Sequence, residues 1–156
     1  MNRVWHTGAG DTILLESIFK SIGKHARRQG RVFIGCDSQI IKQECIFSTV
    51  ICFHGAEGQQ GGNYFFTRER LRRKEFPSIL LRLTKEVEKS INVASEITNN
   101  YPEIDIEIHI DSSSKKSEAT SKYTDMLVGY ARGAGFPCKV KPFAWASNSI
   151  ADKHSK

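Results

Sequence analysis

Three aspartates in similar surroundings are the residues of this chain best suited to chemistry. Asp37 follows the apolar run 32–36, Asp111 follows the alternating apolar run 104–110, and Asp152 lies in a third segment rich in basic residues. Strand ends are where open α/β sheets bind ligands. Carboxylates that converge at such an edge form an all-oxygen site suited to Mg²⁺ or Mn²⁺. The three positions therefore predict a metal site.

Charge and composition indicate which substrate such a metal would serve. The 156 residues carry a formal net charge of +6, which favours a polyanionic partner and therefore metal-assisted chemistry on the phosphodiester of a nucleic acid. The four cysteines form no C-x-x-C pair, which predicts reduced, buried thiols. The first residues lack the apolar core of a signal peptide, and the apolar run 46–53 is too short to cross a bilayer. We expect a soluble cytoplasmic protein without membrane contact.

The hydrophobic pattern predicts five strands and four helices. Asp11 is the expected N-cap of the first helix, and Pro77 is expected to open the longest one. The first three helices are expected to end near Arg28, Asn99 and Ala134, and a short fourth helix carries Asp152. The predicted strands are 31–36, 46–53, 64–67, 104–110 and 138–141. The glycine-rich segment 55–62 lacks the lysine of a phosphate-binding loop and is predicted to be a hairpin connection.

The connections between these elements predict the topology. Three strands joined by short segments form an antiparallel meander, and two later strands reached through helices are parallel crossovers. The expected fold is therefore α/β, with a mixed five-stranded sheet flanked by helices. No repeat or linker divides the chain, so we expect one domain over residues 1–156, with residues 1–30 as an N-terminal helical addition.

This order of elements resembles the ribonuclease H-like fold, and the residues around the aspartates strengthen the resemblance. The matching segments are Gly35-Cys36-Asp37-Ser38-Gln39, Ile108-His109-Ile110-Asp111-Ser112-Ser113 and Ser149-Ile150-Ala151-Asp152-Lys153-His154, the last preceded by Trp145-Ala146. Together they are similar to the YkuK-type family of bacterial ribonuclease H-like proteins, from about Arg31 onward. The resemblance implies a nuclease that uses two cations, Mg²⁺ or Mn²⁺, and leaves a 3′-hydroxyl and a 5′-phosphate.

Ribonuclease H-like enzymes often have a fourth carboxylate on the first crossover helix, and Glu86 and Glu88 are the candidates here. At about 100° per residue, Glu86 falls at the edge of the apolar stripe that must face the sheet, whereas Glu88 points toward solvent. We predict Glu86, with an i,i+4 charge pair to Arg82 as the alternative. The expected metal ligands are Asp37, Glu86, Asp111 and Asp152. The resemblance also suggests that His154 shuttles a proton, and the alternative is an exposed tail residue.

The densest cationic run, residues 68–74, could follow a phosphate backbone or could form a solvated helix start or turn. The hydroxyl of Ser38 could hydrogen-bond a carboxylate or a phosphate. The candidate nucleic-acid-binding residues are Arg68, Arg70, Arg72, Arg73, Lys74, Ser38 and Lys153. These observations leave open whether the substrate is RNA, DNA or a hybrid. They also leave a second hypothesis, a catalytically inactive nucleic-acid-binding module on the same fold.

Overall fold

A seven-stranded mixed sheet organises the chain. The computed structural model describes residues 3–59, 63–113, 115 and 120–156. The strands are β1 (Trp5–Thr7), β2 (Thr12–Ile13), β3 (Arg31–Ile41), β4 (Glu44–His54), β5 (Asn63–Arg72), β6 (Ile106–Ser113) and β7 (Cys138–Lys141). The helices are α1 (Leu15–Arg27), α2 (Ile79–Asn100), α3 (Ser121–Gly133) and α4 (Asp152–Ser155), with a 3₁₀ turn at Arg73–Glu75 and a π-type segment at Ala146–Ala151 leading into α4. Across the sheet the strand order is β2-β1-β5-β4-β3-β6-β7.

The predicted topology of the central strands is confirmed. β3, β4 and β5 form an antiparallel meander, and β6 and β7 continue the sheet in parallel with β3. β3 and β4 are longer than predicted because pairing continues through polar residues, with Asp37 opposite Ser48. Asp37 therefore lies within a long strand rather than after a short one.

The predicted number of strands was wrong, because residues near the N-terminus contribute two more. β1 joins the outer edge of β5 with Trp5 opposite Thr67, and β2 pairs with β1. Asp11 is not a helix cap, since the chain is extended at residues 12–13 and α1 begins at Leu15 without a side-chain cap. The segment before residue 30 thus holds two short strands as well as the predicted helix.

Helices α1 and α2 cover one face of the sheet. The residues predicted to form the apolar stripe are buried there: Leu83, Val87, Ile91 and Ala94 of α2, and Phe76, which lies before the helix, are each at most 9% exposed. Pro77 precedes the helix rather than opening it, because Ser78 is the N-cap and its Oγ accepts a hydrogen bond from the Leu81 N–H (3.2 Å). This packing holds the first crossover helix against β3.

The C-terminal helical segment crosses the opposite face of the sheet. Its Trp145 packs against Phe33, with ring centroids 4.9 Å apart. At Gly35 the backbones approach so closely that a Cβ atom would lie 2.6 Å from the Ser147 nitrogen. A glycine at this position therefore lets the segment cross β3 and carry α4 toward Asp37.

Two predictions from composition concern thiols and membranes. All four cysteines are free; Cys36, Cys45 and Cys52 are buried and Cys138 is half-buried. Of the helices within the described ranges, none combines the length and apolar character needed to cross a membrane. Residues 60–62 of the predicted glycine-rich connection and Ser114 lie outside the described residues.

Candidate metal centre

Three carboxylates from three different elements converge at one edge of the sheet. Asp37 of β3, Glu86 of α2 and Asp111 of β6 each place one oxygen so that the three oxygens lie within 4.8 Å of one another. Asp37 and Glu86 are each 4% exposed, whereas the side chain of Asp111 is 21% exposed. The cluster is therefore closed on the protein side and open to solvent at Asp111. The three residues offer hard oxygen donors, and these are the ligands that Mg²⁺ and Mn²⁺ prefer.

Glu86 is held in the cluster by one of its two oxygens. Ser38 Oγ donates a hydrogen bond to Glu86 Oε2 (2.6 Å), and Arg82 Nε donates to Ser38 Oγ (3.2 Å). Glu86 Oε1 is buried and has no hydrogen-bond partner among the described residues. A buried acceptor without a partner loses its hydration without compensation, and a cation in the cluster would supply the missing interaction. Glu88 lies outside the cluster, 3.4 Å from Lys85 Nζ.

The electrostatics of the cluster favour a bound cation. Burial, together with a hydrogen bond to Asp111 and its charge, raises the pKa of Asp37 to about 8. Burial and the charges of Asp37 and Asp111 raise the pKa of Glu86 well above its usual value. Like charges held this close retain protons when no cation is present. Metal binding must therefore release protons from these carboxyl groups.

Asp152 lies beside the three-carboxylate cluster but is not one of its members. Its Oδ1 accepts a hydrogen bond from Gln39 Nε2 (3.2 Å), and its Oδ2 is 3.1 Å from Lys156 Nζ. Partial burial opposes ionisation of Asp152, but the hydrogen bonds from Lys156 and Asp37 outweigh it and lower its pKa. Asp152 is thus an ionised carboxylate next to Asp37, with a lysine as its present counter-ion.

The amino-acid sequence matches a family model described as ribonuclease H-like over residues 14–156. The chain belongs to this family. Comparison with curated proteins gave no match, and comparison with solved structures gave none either. The family match includes α1, so the ribonuclease H-like region begins earlier than the predicted start near Arg31.

Most of the cationic run of this ribonuclease H-like chain lies on a strand, and only its last two residues form a turn, which was one of the alternatives considered. Arg68, Arg70 and Arg72 are exposed and alternate along β5, which places them on one face of the sheet. In the strand register Asp37 lies opposite Ser48, which lies opposite Arg68, so Arg68 shares a face and a row of the sheet with Asp37. Arg73 and Lys74 follow in the exposed 3₁₀ turn.

His154 is not an exposed tail residue. Its ring stacks on Phe66 with centroids 3.7 Å apart, and its Nε2 is 2.8 Å from the Tyr64 hydroxyl. These contacts attach α4 to β5. A proton-shuttle role for His154 stays a prediction. Of the two roles considered for Ser38, the hydrogen bond to a carboxylate is observed, and with Ser38 2% exposed a contact to a phosphate stays a prediction.

Two residues at the site were missed from the sequence. Ser155 Oγ donates to Asp37 Oδ2 (3.1 Å), and Lys141 Nζ lies 3.1 Å from Asp111 Oδ1. The sequence contains a pattern from which each of these two residues could have been predicted to lie at the site. Ser155 is three residues after Asp152 on a helix and therefore shares its face. Lys141 ends a strand parallel to the one that carries Asp111, and the ends of such strands meet at one edge.

Proposed function

We propose that this protein is a divalent-metal-dependent nuclease that hydrolyses phosphodiester bonds of a nucleic acid. The observation that carries the proposal is the three-carboxylate cluster with one buried, unpartnered oxygen on Glu86. The all-carboxylate donor set suits Mg²⁺ or Mn²⁺. We expect two ions, with Asp152 as the additional ligand beside Asp37. The family to which the chain belongs supports this function, since the fold commonly carries such a site.

The residues of the chain prepare the site for this chemistry. Cations bound by the carboxylates would supply an activated water and neutralise charge on the leaving oxygen. Ser38 and Ser155 each donate to one carboxylate oxygen, on Glu86 and Asp37 respectively, and so fix the orientation of the carboxylates. The exposed side of Asp111 leaves an entrance for the phosphate of a substrate.

His154 is the proposed proton-transfer residue. Partial burial, with the charges of Lys153 and Arg68, lowers the pKa of its ring, so the imidazole is neutral near pH 7 and able to accept a proton. The hydrogen bond to Tyr64 holds the ring in one place. In this proposal His154 takes up a proton from water and passes it to the leaving oxygen.

Exposed cations on β5 and on the C-terminal helix are the proposed contacts to the substrate backbone. The row of Arg68, Arg70 and Arg72 runs along the same sheet face as Asp37, and Lys153 lies exposed next to Asp152. Arg70 is 3.4 Å from Glu44, so its charge is partly neutralised. The proposed contacts are Arg68, Arg70, Arg72, Arg73, Lys74 and Lys153. We propose that residues 1–156 work together as a single domain.

Cleavage of labelled single-stranded RNA, single-stranded DNA, duplex and hybrid tests the proposal, with Mg²⁺, Mn²⁺ or EDTA present. Asp37→Asn and Asp111→Asn preparations are measured beside the unaltered protein. Metal-dependent cleavage that disappears in both variants supports a nuclease and identifies the substrate. Salt-sensitive binding that the variants retain, without cleavage by any preparation, indicates the inactive binding module instead.

A further inference from the structure

A buried histidine on β6 holds the start of the C-terminal helical segment. His109 lies on this strand two residues before Asp111, and its ring is 2% exposed. Its Nδ1 accepts a hydrogen bond from the Ala146 N–H (3.0 Å). Ala146 is the first residue of the π-type segment, and the first N–H groups of a helical segment have no acceptor within it. His109 therefore caps the C-terminal segment from the sheet.

The other partners of the ring fix which of its nitrogens carries the hydrogen. A ring nitrogen that accepts a hydrogen bond carries no hydrogen itself, so the hydrogen of the His109 ring is on Nε2. Nε2 lies 3.0 Å from Glu107 Oε1, to which it donates. The second oxygen of Glu107 accepts a hydrogen bond from Arg31 (3.1 Å). Glu107 thus selects the tautomer in which Nδ1 is able to accept from Ala146.

The far end of the same segment lies at the metal cluster. Asp152 Oδ1 accepts a hydrogen bond from Gln39, and Ser155 Oγ donates one to Asp37 Oδ2. A helix rises about 1.5 Å per residue, so Asp152 is no more than about 9 Å along the segment from Ala146. Over so short a distance a helical segment moves as a unit. The position of its first turn therefore sets where Asp152 and Ser155 stand beside Asp37.

Packing around the His109 ring contributes to the same attachment. The ring lies edge-on to Trp145, with centroids 5.0 Å apart, and is tilted against Phe33 at 5.3 Å. A side chain of similar size at position 109 keeps most of these contacts. The hydrogen bond to Ala146 can therefore be removed while the ring site stays filled.

We propose that His109 is a positioning residue of the metal centre, which acts by accepting the Ala146 N–H and so holding Asp152 and His154 beside Asp37. Its effect on catalysis rests on the proposed nuclease function, in which Asp152 is the additional metal ligand and His154 transfers a proton. His109 acts through the C-terminal segment and not on the substrate. Its hydrogen bond to Ala146 can be tested without any substrate.

Two substitutions separate the two hydrogen bonds of His109. Asparagine carries its side-chain oxygen at the same number of bonds from the backbone as Nδ1, so His109→Asn keeps an acceptor for Ala146. Glutamine reaches the position of Nε2, so His109→Gln keeps the contact to Glu107 and loses that acceptor. Both place an uncharged amide in the same buried site, so a general cost of the substitution affects them alike.

The first test is hydrogen exchange of the Ala146 amide, followed by NMR in the metal-free protein. His109→Gln is expected to speed this exchange at least about tenfold, whereas His109→Asn should stay within about threefold of the unaltered protein. The amide of Ile34 is the control for global opening, because Ile34 is buried in β3 and paired on both sides. Exchange of Ala146 that is no faster in His109→Gln than in His109→Asn overturns the role of Nδ1.

The second test compares kcat for oligonucleotide cleavage with Mn²⁺ affinity, which is measured by calorimetric titration without nucleic acid. His109→Gln should lower kcat about tenfold to 100-fold, because Asp152 and His154 are displaced. Its Mn²⁺ affinity should stay within about threefold, since Asp37, Glu86 and Asp111 all lie outside the C-terminal segment. His109→Asn should restore kcat to within about threefold of the unaltered protein.

The outcomes distinguish this proposal from the nuclease proposal. An effect on general structure alone would lower kcat and Mn²⁺ affinity together and would not be rescued by His109→Asn, so that pattern contradicts positioning by His109. Cleavage that neither substitution affects overturns the positioning role and leaves the nuclease function standing. Absence of cleavage by the unaltered protein overturns the nuclease function, and the exchange of Ala146 still decides whether His109 holds the segment.

Discussion

Replacing Asp37 with asparagine should stabilise the metal-free protein, although Asp37 belongs to the proposed catalytic set. Its carboxyl is 4% exposed and lies against Asp111 and Asp152, which, with burial, raises its pKa to about 8. The unfolded chain would titrate this group near pH 4. Between these two pH values the folded protein binds more protons than the unfolded chain, so its free energy of unfolding falls as pH rises from about 4 to about 8.

The size of the effect follows from the shift in pKa. About four pKa units at about 1.4 kcal/mol each set a ceiling of about 6 kcal/mol. The cluster is open at Asp111, and water and counter-ions that enter there screen the repulsion. We therefore expect the Asp37→Asn protein to be more stable than the unaltered one by about 1–3 kcal/mol at pH 8 in EDTA. The difference should disappear near pH 4.

Urea denaturation from pH 4 to pH 9, in EDTA and again with saturating Mn²⁺, measures this difference. Asp125→Asn is the matched control, because Asp125 is exposed on α3 and outside the cluster. Mn²⁺ at about 100 times its Kd should stabilise the unaltered protein by about 2.7 kcal/mol and the Asp37→Asn protein far less. Identical pH dependence of the two proteins in EDTA, or a less stable Asp37→Asn protein at pH 8, would refute the electrostatic reasoning.

Three further predictions concern the elements around the cluster. Gly35→Ala should lower the free energy of unfolding by about 1–3 kcal/mol in urea denaturation, because the new Cβ meets the Ser147 nitrogen. Gly129→Ala in α3 is the control, because its new Cβ meets nothing within 4 Å and should not destabilise the protein. Equal effects of the two substitutions would contradict the close crossing at β3. Arg72→Gln should reduce the slope of log affinity against log salt for an oligonucleotide by about 1, and an unchanged slope would remove Arg72 from the binding surface. His154→Gln should lower kcat for cleavage about 100-fold at unchanged Mn²⁺ affinity, and a loss below about threefold would contradict proton transfer by His154.

The position of two aspartates could be predicted from the sequence because strands of clear pattern carry them. Ile34 pairs with Ile108 in the parallel register of β3 and β6, which brings Asp37 and Asp111 to the same edge. The position of Glu86 near the sheet could also be predicted, because Glu86 falls at the edge of the apolar stripe of α2. Periodicity of side chains is what buried strands and helices impose on a sequence, so residues that depend on it are predictable.

The remaining features depend on contacts between distant segments. β1 and β2 have three and two residues, too few for a periodic pattern. β1 is extended because Trp5 pairs with Thr67 of β5, and β2 is extended because it pairs with β1. Asp152 has a helical position that the sequence predicts, but its lysine partner and its distance from Glu86 depend on how the C-terminal segment crosses Gly35. The way in which two segments cross depends on packing between residues distant in sequence, which the local hydrophobic pattern does not predict.

The most direct test of the metal centre compares two neighbouring glutamates on α2. Cleavage of a labelled oligonucleotide with Mn²⁺ is measured for the unaltered protein, for Glu86→Gln and for Glu88→Gln. Glu86 is buried in the cluster, whereas Glu88 is 41% exposed beside Lys85. We predict that Glu86→Gln lowers kcat/KM at least about 100-fold and that Glu88→Gln stays within about twofold of the unaltered protein. Equal activity of the two variants, or no metal-dependent cleavage by the unaltered protein, would contradict a catalytic metal centre at Asp37, Glu86 and Asp111.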